Sequence, residues 1–199
     1  MSIVPPWIRI VLTVLLGSAV LWYATDGLTT YTAEGQRRSD IELTPRAVPE
    51  IILIDQNFSP LKISEFKGKT VLMEFIYTSC PSFCYAMGSE YKQLQDKIIN
   101  SGAKDIVLMS VSFDYENDNA EKIKAYADKF KAVAPYWYVV RAKDIEGLNQ
   151  LIKTFEVIIV GNSNDGYEHD SAIHAINKNN KLYKIIDFND DKTINEIFD

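Results

Sequence analysis

The sequence predicts an α/β sandwich with a mixed sheet, preceded by one N-terminal transmembrane helix. Three observations carry this. Two near-continuous apolar runs, "TVLMEFIYT" (70–78) and "DIVLMSVSF" (105–113), read as strands buried on both faces. They alternate with segments whose apolar residues recur every three or four positions, the period of an amphipathic helix. Ahead of them all lies "VPPWIRIVLTVLLGSAVLWYAT", apolar from Val4 to Ala24 and interrupted by one charge, Arg9.

That first stretch approaches the ~20 residues a bilayer crossing needs, with Arg9 snorkelling to the headgroups and Trp7, Trp22 and Tyr23 at its two ends. A cleaved signal peptide is the competing reading, but "AVLWYATDG" puts bulky aromatics where small residues should precede a cleavage site. We therefore expect an uncleaved anchor over 1–24. The habit of first helices to orient N-terminus inward would export the remainder. No Arg- and Ser-rich amphipathic leader is present, which favours a bacterial inner membrane with the soluble domain in the periplasm.

Residues 25–47 show no sustained periodicity and read as a tether, leaving 48–199 as one globular domain. Within it "IILI" (51–54) is a short strand and 59–69 a loop or small hairpin. After strand 70–78, Met87, Tyr91, Leu94 and Ile98 form one helical stripe that Gly102 closes. After strand 105–113, "DNAEKIKAYADKF" (118–130) is a helix with Asp118 and Glu121 spaced as a capping box and Ile123, Tyr126 and Phe130 inward. "YWYVVR" (136–141) is a strand. "DIEGLNQLIKTF" (144–155) is a helix with Ile145, Leu148, Leu151, Ile152 and Phe155 inward. "SAIHAIN" and "KLYKIIDF" form a hairpin about "KNNK", and "KTINEIF" ends the chain as a short helix. This order is the thioredoxin-like plan. The net charge of −6 and the lack of any lysine-arginine stripe exclude a nucleic-acid footprint.

The chain has two cysteines, Cys80 and Cys84, where the first buried strand gives way to its helix. Cys80 falls in the loop and Cys84 in the first helical turn, where unpaired N–H groups and the helix dipole favour thiolate; Pro81 suits that turn because its missing donor costs nothing there. Thiolates serve both redox exchange and metal ligation, so a redox pair, a metal clamp and a plain disulfide all remain open. Two departures count against a general disulfide exchanger: the spacing is C-x-x-x-C rather than C-x-x-C, and no proline follows Pro135, so the strand facing the dithiol lacks a preceding cis-proline. A peroxidase would bring a threonine and an arginine to one cysteine, and nothing in the sequence joins Thr78 to Arg141. Two thiolates with an imidazole suit copper, and zinc less well. The third ligand would be one of two histidines: His169, in the polar loop "NSNDGYEHDS", or His174, inside the strand.

From about Val48 to the C-terminus the motif order resembles the Sco/SenC family of copper chaperones for cytochrome c oxidase. "GKTVLMEFIYTSCPSFCYAMGSEYKQL" resembles the family's strand, C-P-x-x-C segment and helix. "VSFDYENDNAEKIKAYADKF" resembles its S-x-D-P-x-x-D-T-P segment, with Asp114 and Asp118 in place. "EHDSAIHAINKNNKLYKII" resembles its D-H-S/T strand and following turn. The resemblance implies Cys80, Cys84 and His169 as copper ligands and His174 at an aromatic position. It also matches Asp114 to an acidic residue near the site, though Asp114 and Asp118 suit turn and cap roles equally. Tyr77 and Phe83 read as packing or rim residues, and Met87 as core. The chain departs from the family pattern at Ser82 and Tyr85, where Asp and a second Pro usually stand, at the missing prolines after Asp114 and at Ala120, and at Glu168 in place of Asp.

The expected function is thus a membrane-anchored periplasmic copper chaperone. It would hold one Cu(I) or Cu(II) ion and pass it to the copper-bearing subunit of cytochrome c oxidase, working with other copper-delivery proteins. On this reading it is a metallochaperone rather than an enzyme. Two alternatives remain: a thiol-disulfide reductase that maintains the oxidase's copper-ligand cysteines through Cys80 and Cys84, and a redox or copper sensor.

Overall fold

The computed structural model describes residues 5–24, 33–80, 83–161, 167–169 and 172–198, and for 33, 83, 84, 160, 161, 168 and 169 the backbone alone. The chain divides into two units, Met1–Leu43 and Thr44–Asp199.

In the first unit, α1 (Pro6–Ala24) has 19 residues, none of them buried, and is long and apolar enough to cross a membrane. Its length is about 28 Å, close to the ~30 Å of a hydrocarbon core. α2 (Ala33–Leu43) lies inside the segment that lacks periodicity. It forms because its residues are good helix formers and because Glu34 pairs at one turn's spacing with Arg37 and Arg38, both at 2.7 Å. Such pairing leaves no hydrophobic period to read.

The second unit is built on an eight-stranded sheet. Its strands are β1 (Arg46–Ala47), β2 (Leu53–Asp55), β3 (Pro60–Leu61), β4 (Thr70–Ile76), β5 (Ile106–Ser112), β6 (Trp137–Ala142), β9 (Ala172–Ile176) and β10 (Lys181–Asp187), in the order β1-β10-β9-β4-β5-β6-β2-β3. β4, β5 and β6 pair parallel; β9 pairs antiparallel with both β4 and β10, and β2 antiparallel with β6, so the sheet is mixed as expected. Both edges are strands of two residues. β7 (Ile159–Gly161) and β8 (Tyr167–His169) form a separate two-stranded ribbon.

β4 and β5 are buried along nearly their whole length. Their alternate residues feed two cores. Leu72, Ile76 and Leu108 meet Tyr91, Leu94 and Ile98 of α3 (Phe83–Ser101) and Ile123, Tyr126 and Phe130 of α4 (Ala120–Phe130). On the opposite face Phe75 packs on Phe155 of α5 (Ile145–Phe155), ring centroids 5.6 Å apart. α6 (Asp191–Glu196) adds Ile194 to the first core. Gly102, at φ +70°, closes α3. Gly88 lets α3 approach α4, because a Cβ there would lie 2.6 Å from the Phe130 ring.

Two local expectations shift. Ile145 opens α5 and is exposed rather than inward. The N-cap of α4 is Asn119, whose side chain accepts from the Lys122 N–H at 3.0 Å, and Asp118 serves elsewhere. Beside β6, where β2 no longer pairs, the buried Gln56 amide donates to Trp137 O and accepts from Val139 N, both at 3.0 Å, standing in for a strand.

Candidate functional site

The two candidate cysteines follow the end of β4. After Ile76 the chain turns through Tyr77, Thr78 and Ser79 to Cys80, whose N–H donates to Tyr77 O at 3.3 Å. Cys80 is half-buried. Cys84 is the second residue of α3, at the positive end of its dipole. Pro81 and Ser82 lie outside the described residues, as do the side chains of Phe83 and Cys84.

Asp118 shapes this turn. Its carboxylate accepts from the Thr78 N–H at 2.8 Å, from the Thr78 hydroxyl, and from the Ser112 hydroxyl at 2.6 Å. Three donors on one wholly buried carboxylate explain why Asp118 leaves the helix cap to its neighbour. Asp114, also buried, accepts from Asn117 Nδ2 at 2.9 and 3.1 Å, and its carbonyl takes the Asp118 N–H at 2.8 Å. Arg141 donates to Tyr115 O and covers the Tyr115 ring, while Thr78 is held by Asp118, so the pair a peroxidase would use serves separate networks.

His169 ends β8, opposite Ile159 in the ribbon, rather than sitting in a loop. Its side chain lies outside the described residues, as do 162–166, 170 and 171. The ribbon is fastened to the cysteine turn by Tyr77. The Tyr77 hydroxyl donates to Tyr167 O and accepts from Tyr167 N, and the Tyr77, Phe113 and Tyr167 rings pack mutually with centroids 5.2–5.4 Å apart. The nearby Asp114 carboxylate, with burial and the charges of Glu116 and Asp118, raises the Tyr167 phenol above its usual pKa. The fold thus brings Cys80, the start of α3 and the end of β8 to one end of the sheet. His174, by contrast, is wholly buried in β9, with the Phe75 and Phe155 rings each 5.4 Å from its own. It belongs to the α5-side core.

Among the buried polar residues that sequence reasoning passes over, one carries a charge in mid-strand. Glu74, in the middle of β4, is wholly buried; its Oε1 accepts from the Ser110 hydroxyl, which accepts from Trp137 Nε1 at 2.9 Å, and its Oε2 has no partner among the described residues. Burial pushes its carboxyl up to about 8. The signal is present: a lone charge inside a strand apolar on both faces.

A family model described as SCO1/SenC matches residues 41–197. Among curated relatives, the SCO1 protein homolog of Bacillus subtilis is 24% identical over 65% of this chain and 68% of its own length. The chain spans about half to two-thirds of the length of the curated relatives it matches. Two solved structures share the fold. BsSco, a member of the Sco family of cytochrome c oxidase assembly proteins with an identified disulfide switch, aligns with TM-score 0.66 at 21% identity over 78% of this chain and 93% of its own. Arabidopsis thaliana ScoI with copper bound aligns with TM-score 0.63 at 18% identity over 75% and 92%.

Proposed function

Since the chain belongs to the SCO1/SenC family, we propose that it is a membrane-anchored copper carrier that takes up one ion through Cys80, Cys84 and His169 and delivers it to a copper centre of cytochrome c oxidase. On this reading α1 is the anchor and the domain faces the periplasm. The observation that carries it is the Tyr77 tether. Tyr77 stands three residues before Cys80, and its hydroxyl holds the backbone two residues before His169. Two soft thiolates and an imidazole are a donor set suited to copper. Relatives named for copper or for oxidase assembly support the same reading.

The chemistry follows from the donors. Thiolate formation at Cys84 is favoured by the start of α3, and both thiols release protons as the ion binds. An external two-electron oxidant that joins Cys80 and Cys84, forming one S–S bond and releasing two thiol protons, would remove two donors, so uptake is gated by the redox state of the pair. Delivery proceeds by ligand exchange with an acceptor's own thiolates.

The test is copper titration of the detergent-solubilised protein by optical spectroscopy. We expect intense thiolate-to-copper absorption that His169→Ala, Cys80→Ser and Cys84→Ser each abolish and that the His174→Leu variant keeps. Absorption indifferent to His169, together with rapid reduction of a test disulfide, would instead identify a thiol-disulfide reductase.

A further inference from the structure

A groove of about 330 Å³ opens beside the cysteine turn, lined by Thr78, Ser79, Lys122, Ala125, Tyr126 and Lys129. One wall is the two residues immediately before Cys80. The other is a single face of α4, since 122, 125, 126 and 129 fall on one stripe at helical spacing. Asp118 makes the Thr78 wall rigid by binding both its N–H and its hydroxyl. Tyr126, nearly buried, forms an apolar floor.

The charge here runs against that of the chain. The protein carries a net charge of −6, yet the charged groups lining this groove are both lysines. Among the described residues neither has a carboxylate partner; Lys129 Nζ instead lies 5.0 Å from the centroid of the Tyr85 ring. The acids of α4 sit on the neighbouring stripe, where Asp128 pairs with Lys124 at 2.9 Å and Glu121 lies one turn away. Tyr85, next to Cys84, is 59% exposed and packs on Phe130, extending the rim on the Lys129 side.

We propose that this groove docks an acidic polypeptide segment of the protein that Cys80 serves. Two carboxylates of that segment meet Lys122 and Lys129, about 10 Å apart along α4, and an apolar side chain between them settles on Tyr126. A membrane surface is the weaker occupant, because lipid-binding patches gather some four to eight basic residues on an open face, whereas here two lysines flank a concave, partly apolar cleft. The proposal deepens the copper-delivery reading and rests on it only for what is handed over.

The test uses the full chain in phosphatidylcholine bilayer discs and a fluorescent peptide carrying two glutamates around a leucine, compared with the same peptide bearing glutamines. We expect the acidic peptide to bind about tenfold tighter. That preference should vanish in high salt and in the Lys122→Glu/Lys129→Glu variant, fall in the milder Lys122→Gln/Lys129→Gln variant, and persist in Cys80→Ser. Equal binding of the two peptides, or an acidic preference that survives lysine reversal, overturns the proposal. So does protection of Lys122 and Lys129 from amine acylation by added phosphatidylglycerol but not by peptide. If acidic preference holds while copper binding is absent, the groove stands and the copper reading falls. If copper binds normally and the preference is absent, the groove alone falls.

Discussion

The phenol oxygen of Tyr77 lies 3.3 Å from the backbone oxygen of Tyr167 and 3.4 Å from its backbone nitrogen, so one hydroxyl joins the cysteine turn to the histidine strand. Tyr77→Phe keeps the aromatic packing and removes both hydrogen bonds. We expect about 1 kcal/mol of lost stability. On the proposed reading, copper affinity should fall about five- to tenfold, because the strand that carries His169 loses its tether to the cysteine turn. An unchanged copper affinity in the folded variant would show that the tether does not position the histidine.

Glu74 makes stability depend on pH. Its folded pKa of about 8 stands above the 4.5 of an unperturbed glutamate, so the fold favours the protonated form. The stabilisation from this group is full below about pH 4.5 and declines until the folded pKa is passed, because the unfolded chain releases the proton first. Chemical denaturation of the detergent-solubilised protein should show a loss on the order of 4 kcal/mol between pH 4.5 and 8. In Glu74→Gln that decline should flatten. A wild-type and variant pair with parallel pH profiles would contradict it.

Asp118→Asn retains the shape of the side chain but replaces one acceptor oxygen by a donor facing Thr78 or Ser112. Leaving buried donors mismatched costs about 2–3 kcal/mol. The cysteine turn should loosen, and alkylation of the reduced protein at Cys80 should quicken. Mass spectrometry of iodoacetamide-treated samples over time measures this.

Gly88→Ala sets two effects against each other. Alanine improves helix propensity by about 1 kcal/mol, but its Cβ would lie 2.6 Å from the Phe130 ring. That ring is hemmed in by Tyr85, Tyr126 and Trp137 and has little room to retreat. Overpacking of this kind costs about 1–3 kcal/mol, so the net change should be destabilising by about 1 kcal/mol. A rise in the melting temperature would refute the close approach of α3 and α4.

The parts of the fold written in hydrophobic pattern are legible in the sequence itself. β4 and β5 are buried on both faces and read as near-continuous apolar runs, and the Met87, Tyr91, Leu94 and Ile98 stripe of α3 is buried throughout. What stays hidden rests on backbone pairing or on partners far away in sequence. β8 carries the polar "YEH" and is held by β7 and by a hydroxyl 90 residues earlier. Asp118 and Asn119 are both good N-caps, and only the three donors on Asp118 decide which one caps. Of the candidate ligands, the sequence spacing locates Cys84 in the first turn of α3, and the polar surroundings of His169 conceal a strand.

The sheet ends in stubs, β1 and β3, two residues long on either side, and the unpaired half of β6 is sealed by the Gln56 amide. A long bare margin is where one polypeptide recruits another into a growing β-stack. On the proposed reading of α1 as an anchor, copies sharing a membrane would collide in two dimensions, at far higher local concentration than in free solution. Short, plugged margins let such a population crowd together without polymerising.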